Sequence, residues 1–262
     1  MSETRIMAKL QLPDSGMPTA LTVDVIAKGF GNGLRPNVVE AVQFEVARGE
    51  TVAVLGPSGS GKTTLLRMIA GLDTDFVGEI KCLGHAVTGP HPSRSLVFQD
   101  ARLLPWRTVR ANVAFGLPRE IPGGDRGKVD EALRLVGLEE AQSAWPRQLS
   151  GGMEKRAALA RAIVASPDLL LLDEPFGALD FSTRIGLQGE LQLLCKRLGL
   201  TCLIVTHDVD EAVFLADRAV ILGGRPTRVV QQIPIPLDHP RNRTHPAFDK
   251  IRLKLLASIL GT

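Results

Sequence analysis

Gly56-Pro-Ser-Gly-Ser-Gly-Lys-Thr63 fits the pattern G-x-x-x-x-G-K-[ST] without a mismatch. Glycines let the backbone fold into a nest whose N–H groups point at phosphate oxygens. A helix opening at that point adds positive potential. Lys62 supplies a mobile cation for the β- and γ-phosphates, and the Thr63 hydroxyl, followed by Thr64, is a hard oxygen ligand for Mg²⁺. A second group lies about 110 residues on, where Asp173 and Glu174 end the apolar run Leu169–Leu172. Two adjacent carboxylates at a strand tip are costly unless they meet cations or water. Successive strand side chains point to opposite faces, which predicts separate tasks. Asp173 is placed to hold Mg²⁺ through water, and Glu174 to orient or deprotonate an attacking water. Alone, the pair reads as a solvated strand end before the Pro175 turn. With a phosphate loop upstream it reads as phosphoryl-transfer chemistry. In Leu149-Ser-Gly-Gly-Met153, Ser150 is a natural N-cap, and Gly151 and Gly152 allow close backbone approach. That predicts a second phosphate-binding helix end.

To position these groups the chain needs strands that end at them and helices that begin at them. Leu21, Val23 and Val25 alternate with polar or small residues, as do Val42, Phe44 and Val46, predicting two half-buried strands. Thr51–Leu55, Asp168–Pro175, Leu200–Thr206 and Arg218–Leu222 are apolar runs that suit buried strands. A helix is predicted over Lys62–Ala70, and another from Ser150 to about Ala165. Asp180 is placed to cap a third, in which Leu187, Leu191, Leu194 and Leu198 recur at helical spacing. Strands alternating with helices imply an α/β fold with a mainly parallel sheet. The helix-rich middle, about 100–165, reads as an insertion with turn signals at Pro118, Pro122-Gly123-Gly124 and Pro146. Pro234–Pro240 reads as an extended connector, and Phe248–Leu260 as a short amphipathic segment.

Composition narrows the function classes. The chain has 262 residues, 44% hydrophobic and 23% charged, enough to bury a full core. Its net charge of +3 is dispersed and aromatics make up only 4%, with no Tyr, so neither a basic footprint nor a base-stacking platform points to nucleic acid. Cys82, Cys195 and Cys202 form no CxxC pair, which argues for a reducing compartment and against a zinc site. His85, His91, His239 and His245 show no metal spacing and are expected on the surface. The first 20 residues lack the apolar core of a signal peptide, and no charge-free run reaches the length of a spanning helix.

Taken in order, the motifs resemble those of the ATP-binding subunit of an ABC transporter, over about residues 20–225. Gly56–Thr63 matches the family's Walker A, and Gln99, in Val97-Phe-Gln-Asp100, its Q-loop. Leu149–Gly152 matches its signature motif, Leu169–Glu174 its Walker B, Ala178-Leu-Asp180 its D-loop, and His207 its switch histidine. Met153 stands where the family usually has Gln. Phe30 is the nearest match to the aromatic that the family stacks on adenine, although the following Gly31-Asn-Gly33 departs from the family pattern.

The resemblance implies a P-loop NTPase cassette. Its mainly parallel sheet core carries an antiparallel β edge and an inserted α-helical subdomain at about 100–165, within a nucleotide-binding domain at 1–225. Residues 226–262 would form a C-terminal extension. It implies ATP and Mg²⁺ as cofactors, with Thr63, Gln99 and Asp173 around the metal. It implies a homodimer that sandwiches two ATP molecules head to tail. Ser150, Gly151 and Gly152 of one copy would contact the γ-phosphate held by the other. Glu174 would polarise the water, His207 would reach the γ-phosphate, and Asp180 would couple the two sites.

Flanking segments resemble one importer branch, that of aliphatic sulfonates, taurine and nitrate, which also includes pyrimidine-precursor importers. They are Leu96–Trp106 with Asn112-Val113, His207-Asp-Val-Asp-Glu-Ala-Val213 and Arg225-Pro226. Partners would be an integral-membrane permease and, indirectly, a solute-binding protein, with the chain peripheral on the cytoplasmic face of the inner membrane. Trp106 falls in the segment that in this family receives the permease. A soluble ABC-type ATPase is the alternative. Against it, only about 90 residues separate Walker A from the signature, too few for the long coiled coil of the DNA-repair type, and there is one cassette.

Overall fold

A computed structural model describes residues 18–29, 37–118 and 125–261. Phe30 lies outside them. The strands are β1 Thr19–Lys28, β2 Val39–Ala47, β3 Thr51–Leu55, β4 Val77–Cys82, β5 His85–Ala86, β6 Arg94–Val97, β7 Leu169–Asp173, β8 Thr201–Thr206, β9 Arg218–Gly223 and β10 Arg228–Pro234. The helices are α1 Lys62–Ile69, α2 Val109–Ala114, α3 Arg126–Leu135, α4 Gly151–Ile163, α5 Phe181–Leu198, α6 Val209–Leu215 and α7 Pro246–Leu260, with a 3-10 turn at Pro146–Gln148.

One sheet runs β10-β9-β3-β8-β7-β6, with every pairing parallel except β10 on β9. Every residue of β3, β7 and β8 is buried, as unbroken apolar runs in a sheet covered on both faces should be. The first two predicted strands do not extend this sheet. They build a second, antiparallel sheet in the order β2-β1-β4-β5. In β2 buried and exposed residues alternate, so only one of its faces meets a core. That core joins both sheets: Val23, Val42, Phe44 and Ile80 pack with Val52, Leu66, Leu171 and Leu203. The other face of the parallel sheet packs on α2, α3, α4 and α5 through Val113, Leu133, Ala157, Leu170, Leu191 and Ile204. Three of the four leucines predicted to form the buried stripe of α5 are buried, whereas Leu198 at its end is exposed. The segment expected to be an extended connector starts inside β10 at Pro234 and then buries Ile235.

The register carries the functional consequence. Leu55 of β3 aligns with Thr206 of β8, and Asp173 of β7 aligns with Val205. The carboxyl ends of three adjacent parallel strands therefore open on one edge, where α/β sheets place their ligand crevice.

Candidate active site

β3 runs directly into the glycine loop, and α1 starts at Lys62. Gly56 has no room for a side chain: a Cβ there would lie 2.8 Å from the Leu222 carbonyl oxygen and 2.9 Å from Ser60 Oγ. Gly59 and Gly61 have φ of +77° and +74°, a region that side chains disfavour. Pro57, Ser58 and Gly59 are exposed along the loop, and Thr64 is half-buried in the first turn of α1. Gly61 caps α1 and has no side chain to accept from the helix's first N–H groups, so they are available to an anion. Ser60 Oγ is buried and finds no protein partner.

Lys62 is buried, and its Nζ donates to the carbonyls of Gly56 at 2.8 Å and Pro57 at 2.9 Å. Burial lowers its pKa, against the pull of Glu174 and Asp173. Its ammonium thus sits folded over the loop.

Asp173 and Glu174 do divide, but by a backbone turn rather than by strand alternation. Asp173 closes β7 and accepts from Thr63 Oγ1 at 3.2 Å, and burial raises its carboxyl pKa. Glu174 leaves the strand with φ +42°, which a non-glycine residue rarely adopts. That twist sends its carboxylate to His207, where Oε1 lies 3.1 Å from Nδ1. Gln99, Glu174, Arg184, His207 and Glu211 line one cavity of about 190 Å³.

Asp180 caps α5, its Oδ1 accepting from Thr183 N at 3.0 Å and Ser182 Oγ at 2.8 Å. These hydrogen bonds hold its carboxyl well below the usual range. Ser150 caps α4, accepting from Met153 N at 3.3 Å. Gly152 packs so closely on α5 that a Cβ would meet Thr183 Cγ2 at 2.9 Å. Among the described residues, Ser150, Gly151 and Gly152 lie against Met153, Leu179, Thr183 and Leu187, none of them in the glycine loop of the same chain. The structure thus assembles Walker-type loop, paired acids, Gln99 and His207, and leaves the second glycine helix end apart. A cation over a glycine loop, a helix start with no capping side chain, two hard oxygens and a histidine-held carboxylate suit transfer of a phosphoryl group to water.

The family model for ABC transporters matches residues 39–177, over half of the chain. The chain belongs to the ABC transporter family. The aliphatic sulfonates import ATP-binding protein of Bacillus licheniformis is 45% identical over 238 residues, 90% of this chain and 93% of that protein. Its counterpart in Bacillus subtilis is 43% identical over 244 residues, 93% and 95% of the two chains. A dimeric post-hydrolysis structure of the ATP-binding cassette MJ0796, bound to ADP and Pi, superposes with a TM-score of 0.72 at 29% identity, covering 83% of this chain and all of that one. This ABC transporter chain is an ATP-binding subunit and an ATPase. Among its described residues no helix is long and apolar enough to cross a membrane.

Sequence reasoning missed four residues of this cassette. Lys155 of α4 donates to the Gln99 carbonyl. Arg161, two turns further, donates to the carbonyls of Ala101 and Arg102, each at 2.7 Å. Together they fasten the segment after β6 to the helix that Ser150 caps. Arg184 reaches the Leu179 carbonyl at 2.9 Å and Asp208 at 4.0 Å. Glu211 is buried and accepts from Thr206 Oγ1 at 3.0 Å, and burial pushes its carboxyl up to about 8. Only Glu211 left a local signal, inside the His207–Val213 segment and in the first turn of α6. His239, expected on the surface, is half-buried instead, its Nε2 3.4 Å from Asp217 Oδ1.

Proposed function

We propose that this ATPase energises uptake of an aliphatic sulfonate through a separate integral-membrane permease. The observation that carries the reading is the near-full-length similarity, above 40% identity, to two sulfonate-import ATP-binding proteins. The subunit works on the cytoplasmic face of the inner membrane, peripherally, and a solute-binding protein delivers the cargo to the permease. Trp106, exposed by 68%, belongs to the face that meets the permease.

In this reading two copies close head to tail over two ATP molecules. Gly56–Thr64 hold the phosphates of one ATP, and Ser150, Gly151 and Gly152 of the other copy close on it. That these three residues pack on α5, away from their own glycine loop, supports a role toward another copy. Thr63 Oγ1 and Asp173 Oδ1, a close pair of hard oxygens, would hold Mg²⁺ together with Gln99. When bound there, Mg²⁺ supplies positive charge to the phosphate oxygens. Lys62 leaves the Gly56 and Pro57 carbonyls for the β- and γ-phosphates. The attacking water's oxygen bonds to the γ-phosphorus as the bond to the ADP oxygen breaks, and Glu174 takes the water's proton. His207 holds the Glu174 carboxylate in place and reaches the γ-phosphate. Asp180 couples the two sites, and Phe30 stacks on adenine.

The test is reconstitution of the subunit with its permease and binding protein in liposomes. ATP hydrolysis is then followed against alkanesulfonates, taurine, nitrate and pyrimidine precursors. Several-fold stimulation by alkanesulfonates is expected. Stimulation by another solute alone would reassign the cargo. Undiminished hydrolysis with no permease bound and no solute response would replace the importer by a soluble ATPase.

A further inference from the structure

Cys195 and Cys202 lie in different elements but close in space. Cys195 is in the last turn of α5, and Cys202 is the second residue of β8. Gly199, with φ +60°, reverses the chain between them, and Leu200 N donates back to the Cys195 carbonyl at 3.0 Å. The turn leaves the two sulfurs 3.2 Å apart, each the other's hydrogen-bond partner, and both thiols are free. Among the described residues no group of three or more His, Cys, Asp or Glu could make this pair a metal site.

The two thiols differ in access. Cys202 is wholly buried between β3 and β7. Cys195 lines a cavity of about 250 Å³ at the opposite end of the sheet from the phosphate loop, together with Gln192, Lys196, Asp217 and His239. That volume admits a molecule the size of a peroxide, since one water occupies about 30 Å³ in the liquid.

We propose that Cys195 and Cys202 form an oxidisable dithiol, converted to an intramolecular disulfide by a hydroperoxide-class oxidant that enters through this cavity. The Cys195 sulfur attacks one peroxide oxygen. An S–O bond forms, the O–O bond breaks, and the departing hydroxide leaves as water with the thiol's proton. The Cys202 sulfur then attacks the Cys195 sulfenic acid. The S–S bond forms, the S–O bond breaks, and the hydroxyl leaves with the Cys202 proton as a second water. Two thiols have lost two electrons and two protons, and one hydroperoxide has been reduced.

The order of attack follows from the environment. Cys195, the thiol that lines the cavity, is the first nucleophile, and the hydrogen bond with Cys195, then burial, keep the Cys202 thiol above the ordinary range. Bond formation needs the sulfurs to close by about 1 Å, to the usual S–S length near 2.05 Å. A resolving thiol already in contact captures the sulfenic acid ahead of further oxidation. Cys82, buried in the other sheet, is an internal control.

The experiment uses the full-length chain, hydrogen peroxide as probe and a catalase quench. It then applies iodoacetamide under denaturing conditions and reads the intact mass. Untreated protein carries three alkyl groups, one for each of its three cysteines. After peroxide one group is expected, on Cys82, and dithiothreitol restores the other two. With Cys202→Ala, Cys195 stops at the sulfenic acid and is trapped by dimedone. Three alkyl groups after peroxide would overturn the proposal, and so would a wild-type chain oxidised at Cys195 to sulfinic or sulfonic acid. A disulfide that links two chains, or that includes Cys82, would also overturn it. The wild-type count decides even if the Cys202→Ala chain does not fold.

Discussion

Glu174 keeps a left-handed backbone conformation one residue past β7, a strain of order 1–2 kcal/mol that persists only where the surroundings over-determine it. Here the Glu174 N–H donates to the Val205 carbonyl at 2.9 Å, and His207 fixes the other end of the residue. Glu174→Gln keeps that shape and removes the proton acceptor. Steady-state phosphate release should fall by about 10²- to 10⁴-fold while ATP affinity, measured by equilibrium titration, stays within a few-fold. Turnover close to wild type would remove Glu174 from the proton-transfer role. Glu211 makes a different prediction. Its carboxyl is raised to about 8, first by burial and then by Asp208 and Glu174, against Thr206 and Arg184, and Arg243 also faces it. Between the ordinary Glu value and that figure the folded chain holds a proton that the unfolded chain has lost. Glu211 therefore costs stability as pH rises through this window, up to about 1.4 kcal/mol per pH unit. Urea unfolding from pH 5 to 9 should show Glu211→Gln gaining on wild type as pH rises, and a constant difference would refute the assignment. The loop around Lys62 was legible because its chemistry is local, a run of eight residues. Lys155 and Arg161 were not, because each acts on a carbonyl that only the tertiary fold brings near, and Arg184 was not, because only the fold brings Asp208 beside it.

Elements followed the same rule. β3, β7, β8 and β9 stood out as apolar runs. β6 is four residues that start with Arg94, and β10 carries Gln231 and Gln232. Nothing in such short or polar segments separates a sheet edge from a loop. The antiparallel sheet was legible only as two half-buried strands, because alternation reports one buried face and does not say which sheet a strand joins. Glycines at helix contacts are equally silent in sequence. Gly116 follows α2, and a Cβ there would lie 2.0 Å from the Arg161 carbonyl oxygen of α4. Gly116→Ala must push α2 off α4 and disturb the helix whose Arg161 side chain grips Ala101 and Arg102. A loss of about 1–3 kcal/mol in unfolding free energy is expected from this overpacking. An unfolding midpoint equal to wild type would show that the two helices part freely.

At the scale of the molecule, the residues beyond 225 raise the question of whether they form an add-on or part of the cassette. Ile233, Ile235, Phe248 and Leu255 share one buried cluster with Ala53 and Leu55 of β3, Val213 of α6 and Ile221 of β9. The pin of this arrangement is Arg241, whose side chain is 1% exposed. Its guanidinium donates to the carbonyls of Val213 at 2.7 Å and Ala216 at 2.5 Å, at the end of α6, and to those of Leu237 at 3.0 Å and Ile235 at 3.3 Å. Asp217, 3.7 Å away, balances its charge and also accepts from Thr51 N at the start of β3. One buried cation thus joins the tail to α6, the helix that follows His207, and through Asp217 to β3, the strand that feeds the phosphate loop. Arg241→Met keeps the bulk and leaves these carbonyls, and Asp217, without it. Leaving those buried carbonyls unpaired costs about 1–3 kcal/mol. If the tail belongs to the cassette, the whole unfolding transition, followed by far-UV circular dichroism in urea, moves to lower denaturant as one step. If it is an add-on, the main transition stays in place and a separate, earlier one appears. The apolar residues of β3 and β9 that Phe248 and Leu255 cover argue for the single step, because uncovering them would put that edge of the sheet in water.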